Sequence, residues 1–354
     1  MDNRKIINEI KSLMNTPGTC SNVTSEFLYK QKCLYLLSRI TNTSGQNSYY
    51  SATNEIIQKY RYSCCKNIFH RLNNIPYAVI KGAVLSNSIY GKPFYRLSGD
   101  IDILVSPNNA KQVTDILNDE GFIQGRIINE ELINRSREEL IYHKLYTHQL
   151  ASFHKKTDFL FSPFITVDVN FDIAWGERTE KIDIDHFLKH TEMTSIYDIN
   201  VKKPSPVYEF ISMCMHHYKD MNSIYLLYRK GYCFYEFLDI YYYLINQKIS
   251  VVELYKVAQQ YNVTAYLYYC IYYVNELFHN DKLNEYLNVL ESPEGIELLN
   301  CFGLNKDERH IWEIPFLDRV FDVNFKQQFK NQLDDIDLSK IEINMKYMVG
   351  KTEI

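Results

Sequence analysis

The sequence lacks several features that would assign it to particular protein classes. No apolar run approaches the roughly 20 residues that a membrane span requires, so we expect no transmembrane segment. The eight cysteines are scattered, with no CxxC pair and no signal peptide ahead of them. This pattern predicts reduced thiols in a cytoplasmic protein rather than a disulfide framework. Cys64 and Cys65 are adjacent without a second ligand pair nearby, which disfavours a zinc site.

An excess of positive charge is also missing. The formal net charge is -4 at pH 7, with 39 Lys and Arg residues against 43 Asp and Glu residues. General nucleic-acid-binding proteins usually present a basic field, so this balance argues against that class without excluding a local basic groove. The chain is long enough, at 354 residues, for two or three domains. Its 30 tyrosines, with abundant Ile, Asn and Lys, are typical of an AT-rich bacterial genome.

Residues 77–105 combine the features of a ligand site. An apolar run predicts a short strand, and the turn Lys81-Gly82-Ala83 follows it at the start of a predicted helix. A second apolar run carries Asp100 and Asp102, which project to one face because side chains at i and i+2 of a strand share a face. Two carboxylates aimed at one point beside a helix start predict a seat for a divalent cation and a phosphate chain.

A second strand pattern supplies further acidic side chains. Residues 165–175 alternate between apolar and polar side chains, which predicts a strand with Asp168, Asn170 and Asp172 on one face. Asp172 lies four residues beyond Asp168, which is roughly 13 Å along a strand, so the two carboxylates cannot fill the same role.

The stretch over residues 77–105 also resembles a known family. Four features carry the resemblance: the Lys-Gly-Ala turn, Tyr90 with Pro93, Arg96, and residues 100–105. Together they resemble the nucleotidyltransferase superfamily with a DNA polymerase β-type catalytic core. The closer resemblance is to a branch of bacterial nucleotidyltransferase-like proteins in which an apolar strand, Lys-Gly-Ala, an Arg and Asp-hydrophobic-Asp follow in that order. The superfamily's usual turn is Gly-Gly or Gly-Ser, so Gly82-Ala83 departs from it while fitting the branch.

The resemblance implies a third metal ligand and a reaction. Asp168 matches the acid of the neighbouring strand, and Asn170 stands where the branch commonly has histidine. Asp100, Asp102 and Asp168 would hold two Mg²⁺ ions, or Mn²⁺, that stabilise the attacking and leaving oxygens. The implied activity is transfer of a nucleoside monophosphate (NMP) from a nucleoside triphosphate (NTP), ATP by default, to a hydroxyl group. The acceptor would be a small molecule, sugar or peptide, and pyrophosphate would be released.

The same resemblance implies residues that bind the nucleotide. The backbone of Gly82 and Ala83 would approach the β- and γ-phosphates, because neither residue carries a bulky side chain. Lys81 and Arg96 would offset the phosphate charge. The alternative for these two cations is a salt bridge that holds the loop.

The branch also carries a His and a Lys on one helix and a Leu-Asp-Ile on the next, which implies that His216, Lys219 and Asp239 face the cleft. His216 and Lys219 are three residues apart and share a helix face. Lys219 would contact phosphate, and Asp239 would orient one of the other two; the alternative is a polar network between packed helices. His148 and His154, at even spacing on one predicted strand, are further hypotheses for a general base.

The hydrophobic patterns predict an α/β (α+β) fold in three parts. Residues 1–75 would form an N-terminal helical segment, and 76–203 a nucleotidyltransferase catalytic core with a small mixed β-sheet. Residues 204–354 would form a C-terminal helical domain and tail. The boundary follows residues 202–206, which hold two prolines and a polar flank.

Within these parts, apolar stripes at helical spacing predict helices over residues 26–40, 51–72 and 130–140. Ser106 with Pro107 predicts the start of a further helix, and Gly121 predicts its end.

Two other functions remain open at the level of sequence. One is a toxin-like enzyme that modifies tRNA or a protein, and the other is a catalytically inactive protein that binds a nucleotide or a partner. The presence of all three carboxylates counts against loss of activity. The expected partners are therefore an NTP and a small-molecule or peptide acceptor, with no membrane, and with nucleic acid disfavoured by the net charge.

Overall fold

The computed structural model describes residues 3–41 and 46–349 and has a mixed α+β fold. Within these ranges it contains one six-stranded sheet, two smaller sheets of two strands each, and many helices. The predicted fold class is therefore confirmed. None of the helices in the described ranges is both long and apolar enough to cross a membrane.

The six-stranded sheet is small and mixed. Its strands are β1 (Tyr77–Val79), β2 (Ile101–Val105), β3 (Ile123–Ile128), β4 (Glu131–Asn134), β5 (Phe153–Lys156) and β6 (Phe164–Asn170), in the order β1-β2-β6-β5-β3-β4. Strands β2 and β6 pair in parallel at the centre, and the other neighbours are antiparallel. Both faces of β2 are covered, which is why all five of its residues are buried.

The first part of the chain is helical, as predicted, but with different boundaries. Its helices are α1 (Asn3–Asn15), α2 (Asn22–Lys30), α3 (Leu34–Ser38), α4 (Gln46–Cys64) and α5 (Lys66–Leu72). The single helix predicted over residues 26–40 is wrong, because Lys32 adopts a φ of 58° and separates α2 from α3. Tyr29, near the end of α2, is 52% exposed, so the apolar spacing does not mark a continuous buried stripe.

The middle part of the chain also contains helices α6 (Gly82–Tyr90), α7 (Ala110–Asp119), α8 (Arg137–Tyr146) and α9 (Ile184–Phe187) and the hairpin β7 (Thr191–Ile196)–β8 (Ile199–Pro204). The helix predicted over residues 130–140 is wrong. Asn129 and Glu130 both have positive φ, as in a tight hairpin turn, and this turn makes β4 the partner of β3. Helix α8 begins only after Ser136, which forms a capping box with Glu139.

The start and end predicted for α7 are confirmed. The Ser106 side chain accepts a hydrogen bond from the Asn108 amide, and a 3₁₀ turn over Pro107–Asn109 leads into the helix. Gly121 follows the helix with a φ of +82°.

The rest of the chain is predominantly helical, as predicted to about residue 300. Its helices are α10 (Pro206–Asn222), α11 (Ile224–Lys230), α12 (Phe234–Asn246), α13 (Val251–Gln260), α14 (Thr264–Phe278), α15 (Asp281–Leu290), α16 (Pro293–Leu298), α17 (Phe316–Phe321), α18 (Phe325–Lys330) and α19 (Asp335–Asn344). A short pair of strands, β9 (Cys301–Phe302) and β10 (His310–Ile311), interrupts them, and a π-helical turn (Met345–Val349) follows α19.

Two hydrophobic clusters hold the sheet between helical layers. One cluster joins Ala78 and Leu104 of the sheet to the N-terminal and C-terminal helices. The other joins Val79 and Ile103 to α4, α5 and α7. Because alternate residues of β1 and β2 enter different clusters, the sheet is fixed from both sides. Residues 202–204 lie on β8 and α10 begins two residues later, and the division into domains there stays a prediction.

Candidate active site

The central strands bring the predicted carboxylates to one place. Asp102 of β2 and Asp168 of β6 are direct partners in the parallel pair, so their Cα atoms are separated by about one strand spacing, ~4.8 Å. Asp100 immediately precedes β2, and its carboxylate accepts a hydrogen bond of 3.1 Å from the Ser98 hydroxyl. The three aspartates line one cavity of about 480 Å³.

The three aspartates carry more negative charge than the neighbouring cationic side chains neutralise. Asp168 is 8% exposed, and its Oδ1 is buried with no hydrogen-bond partner among the described residues. Burial, reinforced by repulsion from Asp100 and Asp102, raises the pKa of Asp168 to about 7. Burial and the neighbouring Asp102 also raise the pKa of Asp100. A cation at this point would relieve both effects.

Lys81 places a positive charge beside the aspartates. Its Nζ donates to Asp102 Oδ1 at 2.8 Å, and Asn170 Nδ2 approaches the same oxygen at 3.4 Å. Burial alone would lower the pKa of Lys81, but attraction to Asp102 outweighs it, and the pKa is raised. The side chain of Lys81 is therefore a carboxylate partner at the edge of the cavity.

The turn after Lys81 is shaped by glycine. Gly82 has a φ of +61°, and a Cβ at this position would lie 3.1 Å from Ser98 Oγ. Because glycine adopts this conformation without steric cost and has no Cβ, the backbone of the turn can lie close to the Ser98 loop. Gly82 and Ala83 are the first residues of α6 and are buried. Their amides belong to the first turn of the helix, where a phosphate is favourably placed.

Arg96 forms the salt bridge that was the alternative to phosphate binding. Its Nε donates to Asp239 Oδ2 at 2.8 Å, with 9% and 1% of the two side chains exposed. Asp239 also accepts from Tyr90 Oη at 2.7 Å and lies 3.5 Å from His217 Nε2. The partner of Asp239 on α10 is thus His217, and not the predicted His216 or Lys219. This network holds the Arg96 loop against α12.

His216 and Lys219 line the same cavity as the carboxylates, together with His148. Lys219 Nζ lies 3.2 Å from His148 Nε2, and burial lowers the pKa of Lys219 to about 8. His216 Nε2 lies 3.7 Å from Asp220 Oδ2. Burial, with repulsion from nearby lysines, holds the pKa values of His216 and His148 well below the usual range, so both imidazoles are neutral.

The family is decided by comparison with known proteins. A family model described as "uncharacterised nucleotidyltransferase" matches residues 52–279, well over half of the chain. The chain belongs to this nucleotidyltransferase family. No curated protein matches it significantly. The match contains all the site residues described above, and it supports transfer of an NMP group as the general reaction of this enzyme.

Two further residues that the sequence pointed to, His154 and Asp172, do not line the cavity of the nucleotidyltransferase. His154 lies on β5, where its Nδ1 is 2.9 Å from Thr166 Oγ1. Asp172 lies beyond the end of β6, and its Oδ1 accepts from the Ala174 amide at 2.9 Å. Both side chains are occupied by local structure. His148 does not lie on β5 with His154, so the strand predicted to carry both is wrong.

Three possible metal ligands lie close together elsewhere. Among the described residues, the donor atoms that fall within 4.8 Å of one another belong to His310, Asp334 and Asp337. The carboxylates of Asp334 and Asp337 form the capping box of α19. These oxygens already accept backbone amides, so the cluster is explained as a helix start. The ligand atoms of Asp100, Asp102 and Asp168 are more widely spaced, with the Lys81 ammonium beside them.

One wall of the cavity was not predicted from the sequence. Five residues of α19 and the following turn line it: Asp337, Lys340, Ile341, Asn344 and Met348. They come from a segment with weak apolar patterning, far along the chain from the aspartates. No spacing rule connects the two regions, so only the three-dimensional structure brings them together.

Proposed function

We propose that this nucleotidyltransferase is a Mg²⁺-dependent enzyme that transfers NMP from an NTP, ATP by default, to a hydroxyl group of a small molecule, sugar or peptide. Pyrophosphate is the second product. The observation that carries the proposal is the set of three carboxylates at one end of the cavity, with a buried Asp168 oxygen that has no partner among the described residues. Burial of an unpaired carboxylate oxygen costs free energy unless a cation binds to it.

Asp100, Asp102 and Asp168 are the residues that would hold the metal. Carboxylate oxygens are the ligands that Mg²⁺ prefers when it is shared with substrate phosphates, and Mn²⁺ accepts the same donors. When bound, such ions neutralise charge on the transferred phosphate and on the leaving pyrophosphate.

The residues around the aspartates would bind and orient the triphosphate. The backbone amides of Gly82 and Ala83, at the start of α6, offer donors to the outer phosphates. Lys219 lines the same cavity, and its closest carboxylate oxygen, on Asp220, is 3.9 Å away. Its ammonium is therefore only loosely paired and would be stabilised by a phosphate group. Arg96 acts indirectly, because its bond to Asp239 fixes the loop that precedes Asp100.

The transfer itself forms a bond between the acceptor oxygen and the α-phosphorus and breaks the bond to pyrophosphate. The acceptor hydroxyl must also lose its proton. His148 is our candidate base, because it is neutral and lines the same cavity.

Thermal unfolding with nucleotides tests the metal and triphosphate site. We expect one of the four common NTPs to raise the Tm of the wild-type protein in a Mg²⁺-dependent way, because a ligand that binds only the native state stabilises it. The double variant Asp100→Ala, Asp102→Ala should lose this shift. The matched control is Asp115→Ala, Asp119→Ala, which removes two exposed carboxylates of α7 and should keep it.

Pyrophosphate release separates an enzyme from an inactive binding protein. Wild-type protein with Mg²⁺, the stabilising NTP and an acceptor panel should release pyrophosphate. A Mg²⁺-dependent Tm shift without release for any acceptor would favour the inactive binding protein. No shift with any NTP at millimolar concentration would contradict the proposed site itself.

A further inference from the structure

One wall of the cavity lies outside the region matched by the family. The match ends at residue 279, whereas α19 and the π-helical turn span residues 335–349. We call this segment the C-terminal wall. It lines the cavity through side chains of several chemical types, including Ile341, Asn344 and Met348.

We propose that the C-terminal wall is the acceptor side of the site, and that it selects a small hydroxyl-bearing molecule with an apolar face, such as a sugar ring. The inference rests on the proposed nucleotidyl transfer and narrows its acceptor. It assigns the specificity of this enzyme to residues that the family match does not include.

The C-terminal wall is attached firmly to the catalytic core. Arg135, whose side chain is 6% exposed, donates to the carbonyl oxygens of Tyr347 at 2.7 Å and Met348 at 3.1 Å. Arg126 donates to the carbonyl oxygen of Lys346 at 3.3 Å. Hydrogen bonds from charged donors are stronger than neutral ones, so these contacts hold the backbone of the turn in place. The segment is a constituent of the cavity rather than a loose covering.

Tyr142 connects this wall to the interior of the cavity. Its ring stacks on Tyr347 with centroids 4.4 Å apart and an interplanar angle of 14°, and its hydroxyl donates to Asn344 Oδ1 at 3.3 Å. Tyr142, Tyr146 and Asn344 all line the cavity. Ring surfaces beside an amide suit a ligand that has one apolar face and several hydroxyl groups.

The charges of this side disfavour a nucleic-acid acceptor. Lys340, the ammonium that α19 contributes to the cavity, forms a salt bridge with Glu308. Asp337 is paired with His310 at 3.1 Å, and Glu177 adds a further carboxylate to the lining. Among the described Lys and Arg residues that line the cavity, Arg229 of α11 alone has no carboxylate partner and instead donates to Tyr225 Oη, whereas binding of a phosphate backbone depends on several free Lys and Arg side chains.

The size of the cavity agrees with a small acceptor. Its whole volume of about 480 Å³ would be shared with the nucleotide, and single small-ligand sites already span roughly 300–1,000 Å³, so the space beside the nucleotide is that of a small molecule. Because Arg126 and Arg135 hold the wall through its backbone carbonyls, widening the cavity for a polymer would require breaking these contacts.

Transfer of a radioactive label tests the acceptor class. Full-length protein would be incubated with Mg²⁺ and the α-³²P form of the NTP that raises its Tm, with three separate pools: free sugars and polyols, total tRNA, and denatured casein. We expect label in the sugar and polyol pool. Label in tRNA or casein, or no label in the sugar and polyol pool from protein that binds Mg–NTP, would overturn the inference. Absence of Mg–NTP binding would instead show that the underlying proposed function has failed, and the inference with it.

Substitutions of Asn344 in the C-terminal wall and of Tyr142, the residue of α8 that contacts this wall, test the assignment. Tyr142→Ala and Asn344→Ala should lower kcat/KM for the labelled sugar by roughly 10-fold, chiefly through KM, with the Kd of Mg–NTP unchanged within twofold. Tyr142→Phe keeps the stacked ring and should have a smaller effect, so it remains informative if the alanine variant is unstable. Lys144→Ala, on an exposed position of the same helix, is the control. Unchanged kcat/KM in both alanine variants would overturn the assignment.

Discussion

Burial shifts the pKa values of the ionisable groups in opposite directions on the two sides of the cavity, so that each side lacks a partner of opposite charge. On the sheet side, burial and mutual repulsion raise the pKa of Asp168 to about 7. On the side of α10, burial lowers the pKa of Lys219 to about 8. A carboxyl that resists losing its proton therefore shares a cavity with an ammonium that resists keeping one. Each would be satisfied by a ligand of opposite charge.

The difference between the two sides indicates what kind of ligand reconciles them. A metal–triphosphate complex presents cations at one end and phosphate oxygens at the other, so it would return both groups toward their ordinary ionisation. This is an independent reason, besides the family, to regard the cavity as a nucleotide site. Three changes test this comparison. They are removal of the ion pair that joins the two sides, substitution at the turn formed by Gly82 and Ala83, and a change of pH.

The largest effect is expected from breaking the link between the two sides. Arg96, in the loop before the aspartates, is paired with Asp239 on the helical side, and both are buried. Removing one partner leaves an uncompensated buried charge, which costs about 3–5 kcal/mol. We therefore expect Arg96→Ala to lower the free energy of unfolding by this amount in urea titrations, and to weaken Mg–NTP binding.

An exposed ion pair provides the control for Arg96→Ala. Lys111 and Asp115 are four residues apart on α7, with 85% and 57% of their side chains exposed. Breaking this pair with Lys111→Ala should change stability by about 0–1 kcal/mol. Equal effects of the two substitutions would show that the Arg96–Asp239 pair does not link the two sides.

A smaller effect is expected at the turn formed by Gly82 and Ala83, whose amides we propose as donors to the outer phosphates. Gly82→Ala forces a side chain into the left-handed conformation, at about 1–2 kcal/mol, and places its Cβ 3.1 Å from Ser98 Oγ. Gly91, at the other end of α6, has a φ of +70°, and a Cβ at that position would have no neighbouring atom within 4 Å, so Gly91→Ala carries the backbone cost alone. We expect both variants to lose stability in urea titrations, and only Gly82→Ala to weaken the Mg–NTP shift in Tm. Equal shifts in both variants would contradict a phosphate role for the turn.

Features set by neighbouring residues could be predicted from the sequence. An apolar run located β2, alternation with a period of two located most of β6, and the Lys-Gly-Ala turn located the start of α6. The helix predicted over residues 130–140 failed because a pair of positive-φ residues, Asn129 and Glu130, directs the chain into a hairpin. Neither residue is a glycine, so the usual signal for such a turn was missing.

Contacts between distant residues could not be predicted in this way. Arg96 and Asp239 are 143 residues apart, and His148 and Lys219 are 71 apart. The C-terminal wall depends on Arg135 binding backbone carbonyls that lie 212 and 213 positions further along the chain. Since backbone carbonyls carry no residue identity, such contacts leave almost no trace in residue type or spacing.

Changing the pH breaks the comparison through Asp168 on the sheet side, whose pKa stays raised even with the Lys81 ammonium nearby. The pKa of Asp168 is raised from 3.8 to about 7 in the folded protein, so the unfolded chain gives up this proton at lower pH. Without metal, the stability of the wild type should fall as pH rises from about 4 to about 7. Asp168→Asn removes this loss, so the variant should be the more stable protein at pH 8 and match the wild type below pH 4. Mg²⁺ should stabilise the wild type at pH 8 but not at pH 5, since a protonated carboxyl is a poor ligand. Parallel stability curves for Asp168→Asn and wild type across this range, measured by thermal unfolding, would show that Asp168 is ionised in the apo protein and that the sheet side carries no deficit for a cation to fill.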